Sequence, residues 1–162
     1  MTRTTTKIKD IALQSASKSK LAAAIQEWSE SRGFPEQITY SKKHDVIDLK
    51  LEIEIADIYL TCHIMGSPKD MMLGLALTPN DSVVPEEKQD VVQKWILWRN
   101  PYLRTGSFAM PDDNLQLQYF NCINFSGVKR IETVLIENMF NDAVSAYAEY
   151  GAEYFDLATN KV

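Results

Sequence analysis

VIDLKLEIEIADIYLTCHIM, residues 46–65, decides how this chain folds. Ile47, Leu49, Leu51, Ile53 and Ile55 alternate with Asp48, Lys50, Glu52 and Glu54 without one exception, the two-residue period of a strand with one face in a core and the other in water. Ile58, Leu60, Cys62 and Ile64 repeat the pattern in a second strand, and Leu73, Leu75 and Leu77 in a third, with the turn-forming GSPKD (66–70) between them. Connections this short predict an antiparallel meander.

On the amino-terminal side, Ser17 or Ser19 can cap a helix over 18–32, whose Leu21, Ala24, Ile25 and Trp28 form one stripe. Gly33 supplies a left-handed terminus and Pro35 prevents continuation. On the carboxyl side, Pro79-Asn80-Asp81-Ser82 breaks the sheet, and Pro85 opens a second helix with Glu86, Glu87 and Asp90 near its positive end. That helix must end near Asn100, because a residue before proline is pushed out of helical geometry. Two more strands, 104–110 and 115–123, flank the turn Pro111-Asp112-Asp113-Asn114. A last helix over 128–149 lines up Ile131, Val134, Leu135, Asn138, Met139, Asp142, Ala143 and Ala146, and Gly151 stops or interrupts it. The order αβββαββα, without βαβ alternation, predicts a two-layer α+β domain with helices against a five-stranded antiparallel sheet.

With 162 residues, 45% hydrophobic and 24% charged, the chain is long enough to bury a core without disulfides or metal, and only Cys62 and Cys122 are present. We expect a basic arm at 1–17, a single α+β domain at 18–157 and a short tail at 158–162. Residues 1–20 carry five bases against Asp10, so the other 142 residues hold a net charge of −9 beneath the overall −5. An acidic body is repelled by nucleic acid and by anionic membranes. No secretory signal or membrane-length apolar run is present, so the expectation is a cytoplasmic protein.

Two tryptophans crowd into KWILWRNPYLRTGSFAM, residues 94–110. On a helix turning about 100° per residue, Val91, Val92, Trp95 and Trp98 share about a third of the circumference, with Ile96 at its border and Leu97 nearly opposite. One sheet shelters one stripe, so Trp95, Leu97, Trp98 and the nearby Tyr102 are the candidate protein interface, and a twofold-related copy of the same helix is the economical cover. Tyr147, Tyr150 and Tyr154 recur at roughly helical spacing as contact or core residues.

The element order, the middle helix ending in Asn100, and Gly106-Ser107-Phe108 opening the fourth strand resemble the YbjN-type family, including relatives of similar length in cyanobacteria. That family shares its fold with the chaperones of bacterial type III secretion. The likeness covers roughly residues 20 to 150, and Pro101 directly after Asn100 departs from the pattern. It implies a small acidic domain, commonly dimeric, that binds other proteins or acts in regulation without a cofactor.

Catalytic constellations are weak. Cys62 and His63 are strand neighbours that project to opposite faces, and Cys62 shares the apolar face with Leu60 and Ile64. His44 sits in a Lys-rich turn near Asp45 and Asp48, and the two histidines compose no metal motif. Glu52/Glu54 and Asp112/Asp113 lack the apolar surroundings that raise a carboxyl pKa. No phosphate-binding glycine loop occurs. Tyr119 and Phe120 point to opposite faces with few bases nearby, a poor platform for nucleic acid. The expected function is a non-enzymatic, chaperone-like or regulatory module, homodimeric, with an unidentified protein partner and no nucleic-acid or membrane partner. A self-associating domain without a client and an enzyme of unrecognised type are the alternatives.

Overall fold

The computed structural model describes residues 20–34, 38–41, 43, 45–67, 70–80, 83–111, 115–125, 128 and 131–159. The arm, the caps at Ser17 and Ser19, Pro35, His44, and the Asp112/Asp113 pair lie outside the described residues. In chain order the elements are α1 (Lys20–Arg32), β1 (Ile38–Ser41), β2 (Val46–Ile55), β3 (Ile58–Ser67), β4 (Met72–Pro79), α2 (Gln89–Arg99), β5 (Ser107–Ala109), β6 (Gln118–Asn124) and α3 (Thr133–Thr159). Short 3₁₀ turns occupy Glu86–Lys88 and Asn100–Tyr102. The strands form one antiparallel sheet in the order β1-β2-β3-β4-β6-β5, and the class is α+β as expected.

The sheet has six strands, not five. The addition is β1, which pairs antiparallel with β2 from Ile38 opposite Leu49 to Ser41 opposite Val46. Four residues give only two apolar alternations, Ile38 and Tyr40, too few to register as a period. The meander is otherwise as read. Ala56 and Asp57, at φ 49° and 66°, form the two-residue link between β2 and β3, the left-handed pair that matches the twist of a hairpin.

The chain divides into two compact units. In the first, made of residues 1–51, 63–75 and 122–138, the stripe Leu21, Ala24, Ile25 and Trp28 is buried as the spacing requires. Gly66 of β3 makes room for it: a Cβ there would lie 2.7 Å from Ile25 Cδ1. Gly33, at φ 79°, ends α1, and the Phe34 N–H donates back to the Ser29 carbonyl at 2.9 Å. Glu137 of α3 takes the Trp28 indole N–H at 2.7 Å and pairs with Arg32.

The second unit, residues 52–62, 76–121 and 139–162, buries an aromatic cluster. Phe108 meets Trp95 at 5.3 Å, Tyr147 edge-on at 5.4 Å and Tyr119 at 5.8 Å between centroids. The Tyr147 hydroxyl lies 3.1 and 3.0 Å from the carbonyls of Leu77 and Leu117 and shares its proton with them. Burial pushes its pKa well above the usual tyrosine value.

The strands expected at 104–110 and 115–123 are Ser107–Ala109 and Gln118–Asn124, and the last helix differs from expectation at both ends. The last helix starts at Thr133 and runs through Gly151 to Thr159. Gly151 is kept inside it because the helix approaches Ile58 closely, whose Cδ1 would sit 3.2 Å from an added Cβ. The buried side of α3 carries Ile136, Met139, Ala143, Ala146, Tyr147 and Tyr154, whereas Val134 and Leu135 are exposed. The two turns past Gly151 carry Tyr154, whose burial with Tyr147 fixes that phase.

Candidate functional site

The site begins with α2. Its buried arc consists of Val92, Trp95 and Ile96. Val91 and Trp98, about 40° and 60° from Trp95 on the helical circumference, fall on the water side, because the buried arc extends the other way through Arg99. Trp95 is therefore not part of an open surface: it is 6% exposed, packed between Phe108 and, at 5.9 Å, Tyr154. Leu97 is 73% exposed, Trp98 77% and Tyr102 73%. The structure thus separates the four expected interface residues into one core anchor and three projecting apolar side chains, joined by the exposed Val91.

The resemblance-derived residues have local physical reasons. The Phe108 N–H donates to Asn100 Oδ1 at 2.8 Å, and Asn100 Nδ2 donates to the Phe108 carbonyl at 3.0 Å. One carboxamide thereby satisfies both backbone groups of a buried strand residue and ties the end of α2 to β5. Contrary to the expectation for a residue before proline, Asn100 keeps helical geometry at φ −52° and ψ −39°, and Pro101 is accommodated near the start of the 3₁₀ turn Asn100–Tyr102 that follows α2. Gly106 has φ 65°, and a Cβ on it would lie 2.5 Å from the Tyr119 hydroxyl oxygen and 2.7 Å from the Phe120 carbonyl oxygen. Glycine is the residue that satisfies both demands. The Tyr119 hydroxyl donates to the Thr105 carbonyl at 2.7 Å, and the Thr105 hydroxyl donates to Asp142 at 2.9 Å, which fixes the loop after α2 against α3.

Arg99 adds a second clamp. Its Nε and Nη2 donate to the Glu153 carboxylate at 2.9 and 2.5 Å, and its guanidinium carbon lies 5.4 Å from the Tyr150 ring centroid. Those hydrogen bonds hold the Glu153 carboxyl below the usual glutamate value and raise Arg99. Of the three tyrosines at helical spacing, Tyr147 and Tyr154 are core and Tyr150 stands at the rim. Periodicity on α3 could have separated them once the helix was continued past Gly151.

Among the described residues, those considered for catalysis do not converge. Cys62 is buried, while His63 turns to the other face of β3 with its Nδ1 3.1 Å from Asp48 Oδ1. Glu52 is engaged by Asn80 at 2.9 Å and Thr61 at 3.1 Å. Among the described residues no group of three or more His, Cys, Asp or Glu is placed to hold a metal ion, and no helix is long and apolar enough to cross a membrane.

This arrangement of helices on an antiparallel sheet is the fold shared by YbjN and the type III secretion chaperones. Three solved structures carry the comparison. The crystal structure of the ExsC–ExsE complex matches with a TM-score of 0.55 at 12% identity, covering 84% of this chain and 93% of that one. YbjN from E. coli, a candidate transcription regulator, matches at 0.51 and 12% identity, over 81% and 91% of the two chains. The heterodimeric ExoU–SpcU complex of the Pseudomonas aeruginosa type III secretion system matches at 0.50 and 14% identity, over 83% and 98%. No family model matches the chain, and neither does any curated protein sequence.

Proposed function

We propose that this chain is a non-enzymatic, chaperone-like protein-binding module that acts as a homodimer, with the exposed side of α2 as the contact surface. The observation that carries the reading is the set Leu97 and Trp98 of α2 and Tyr102 of the 3₁₀ turn that follows it, each more than 70% exposed, while the other side of α2 is buried. Large apolar side chains held rigidly in water mark interaction surfaces, and aromatic ones dominate interface energetics. A stable interface needs about 1,200–2,000 Å² of total buried surface, so these side chains would form its centre rather than its whole extent. Two of the similar structures are complexes of two proteins, which supports polypeptide binding as the use of the fold.

Light scattering on the intact chain tests the dimer. The expected result is a dimer mass for the wild type and a monomer mass for Leu97→Asp combined with Trp98→Ala, with an unchanged melting profile for the variant at low concentration. A monomeric wild type, or a variant that still dimerises, overturns the assignment of this surface.

A further inference from the structure

Charge is divided unevenly along the chain. Residues 1–51, 63–75 and 122–138 hold 12 bases and 9 acids, whereas residues 52–62, 76–121 and 139–162 hold 5 bases and 13 acids, a net of −8 on the second unit. That unit also contains a groove of about 230 Å³ between residues 102–105 and one stripe of α3, formed by Asp142, Ser145, Ala146, Glu149 and Tyr150. The stripe follows the i, i+3, i+4, i+7, i+8 pattern, so the groove follows two turns of helix, about 12 Å, room for an extended side chain.

Its walls combine two tyrosines, Tyr102 and Tyr150, with two carboxylates, Asp142 and Glu149, above small side chains. Aromatic faces and carboxylates together favour a planar cation. The molecule already makes that combination once at the same ring, where Arg99 lies over Tyr150 and is gripped by Glu153. Arg104 is the one base of the lining and is exposed on the loop side, leaving the carboxylates of α3 in excess.

We infer that this groove takes the guanidinium of an arginine carried by a basic polypeptide segment. The inference rests on the reading of the chain as a polypeptide binder, and it names the chemistry of the partner. Complementarity to a unit carrying −8 sets the sign of that partner and speeds encounter, while the groove sets the register.

The test is titration of labelled hexa-arginine, hexa-lysine and hexa-glutamate peptides into the full chain, followed by fluorescence anisotropy at about 0.15 M salt. Hexa-arginine is expected to bind in preference to hexa-lysine, and hexa-glutamate not to bind. Glu149→Lys should weaken hexa-arginine about fivefold more than Glu86→Lys, which makes the same charge change in the same unit away from the groove. Tyr150→Leu should abolish the preference for arginine over lysine. Equal losses in the two Lys variants, binding of hexa-glutamate, or no binding of hexa-arginine would each overturn the inference. The Leu97→Asp/Trp98→Ala variant is expected to keep hexa-arginine binding, so failure of the dimer surface and failure of the groove are read separately.

Discussion

Asn100→Ala removes the side chain that serves both backbone groups of Phe108. Phe108 is 2% exposed and packed in the aromatic cluster, so water has little access to the orphaned N–H and carbonyl. Each such group costs about 1–3 kcal/mol when left buried without a partner, and partial relaxation makes about 3 kcal/mol a fair total. For a chain of this length that lowers Tm by about 6–12 °C. Asn100→Asp keeps an acceptor for the Phe108 N–H but sets a carboxylate against the Phe108 carbonyl, so it should be no better than the alanine variant near neutral pH. Urea unfolding followed by tryptophan fluorescence reads the difference, because Trp95 packs against Phe108. A change below about 0.5 kcal/mol for Asn100→Ala, the range of an ordinary surface substitution, would refute the bonding role assigned to this side chain.

Gly106→Ala meets Tyr119 and Phe120 at distances no real Cβ shows and adds left-handed strain, so it should destabilise by about 2 kcal/mol or more, with calorimetry as the check. Tyr147→Phe should cost about 1–2 kcal/mol by removing the buried hydroxyl that donates to the Leu77 and Leu117 carbonyls. The folded pKa of Tyr147 is raised by burial, so its neutral form is fully stabilising below the unfolded value of 10.0 and stability falls as pH rises past it. The phenylalanine variant should show a shallower alkaline limb in pH-dependent melting. The Glu153 carboxyl is depressed by Arg99, so its contribution is present above the unfolded value of 4.5 and is lost as pH falls through the folded one. Glu153→Gln should flatten the acid limb by less than about 1 kcal/mol, because the pair is partly open to water.

The alternating strands and the stripe of α1 were legible because each has one buried face and enough residues to show its period. β1 was not, since four residues that owe their conformation to pairing with β2 carry almost no local signal. The phase of α2 failed in an instructive way. Val91, Val92, Trp95 and Trp98 are the most apolar arc of the isolated helix, but the helix is rolled so that Val92, Trp95 and Ile96 are buried and Trp98 faces water. Trp95 packs on Phe108 and Tyr154 of other elements, and those partners are invisible until β5 and α3 are in place. For the same reason Asn100, Gly106 and Phe108 could be noted as a pattern, while their hydrogen bonds and contacts could not be read from spacing.

The Asn100 carboxamide has one more effect, because β5 is the last strand in the sheet order. In antiparallel pairing with β6, Ser107 and Ala109 direct their backbone groups inward and Phe108 directs its own to the margin. Such margins are where sheets recruit foreign strands and begin to aggregate. At the centre of this three-residue border both groups are already engaged, so an arriving strand finds neither donor nor acceptor there, and fibril growth has no foothold on that side.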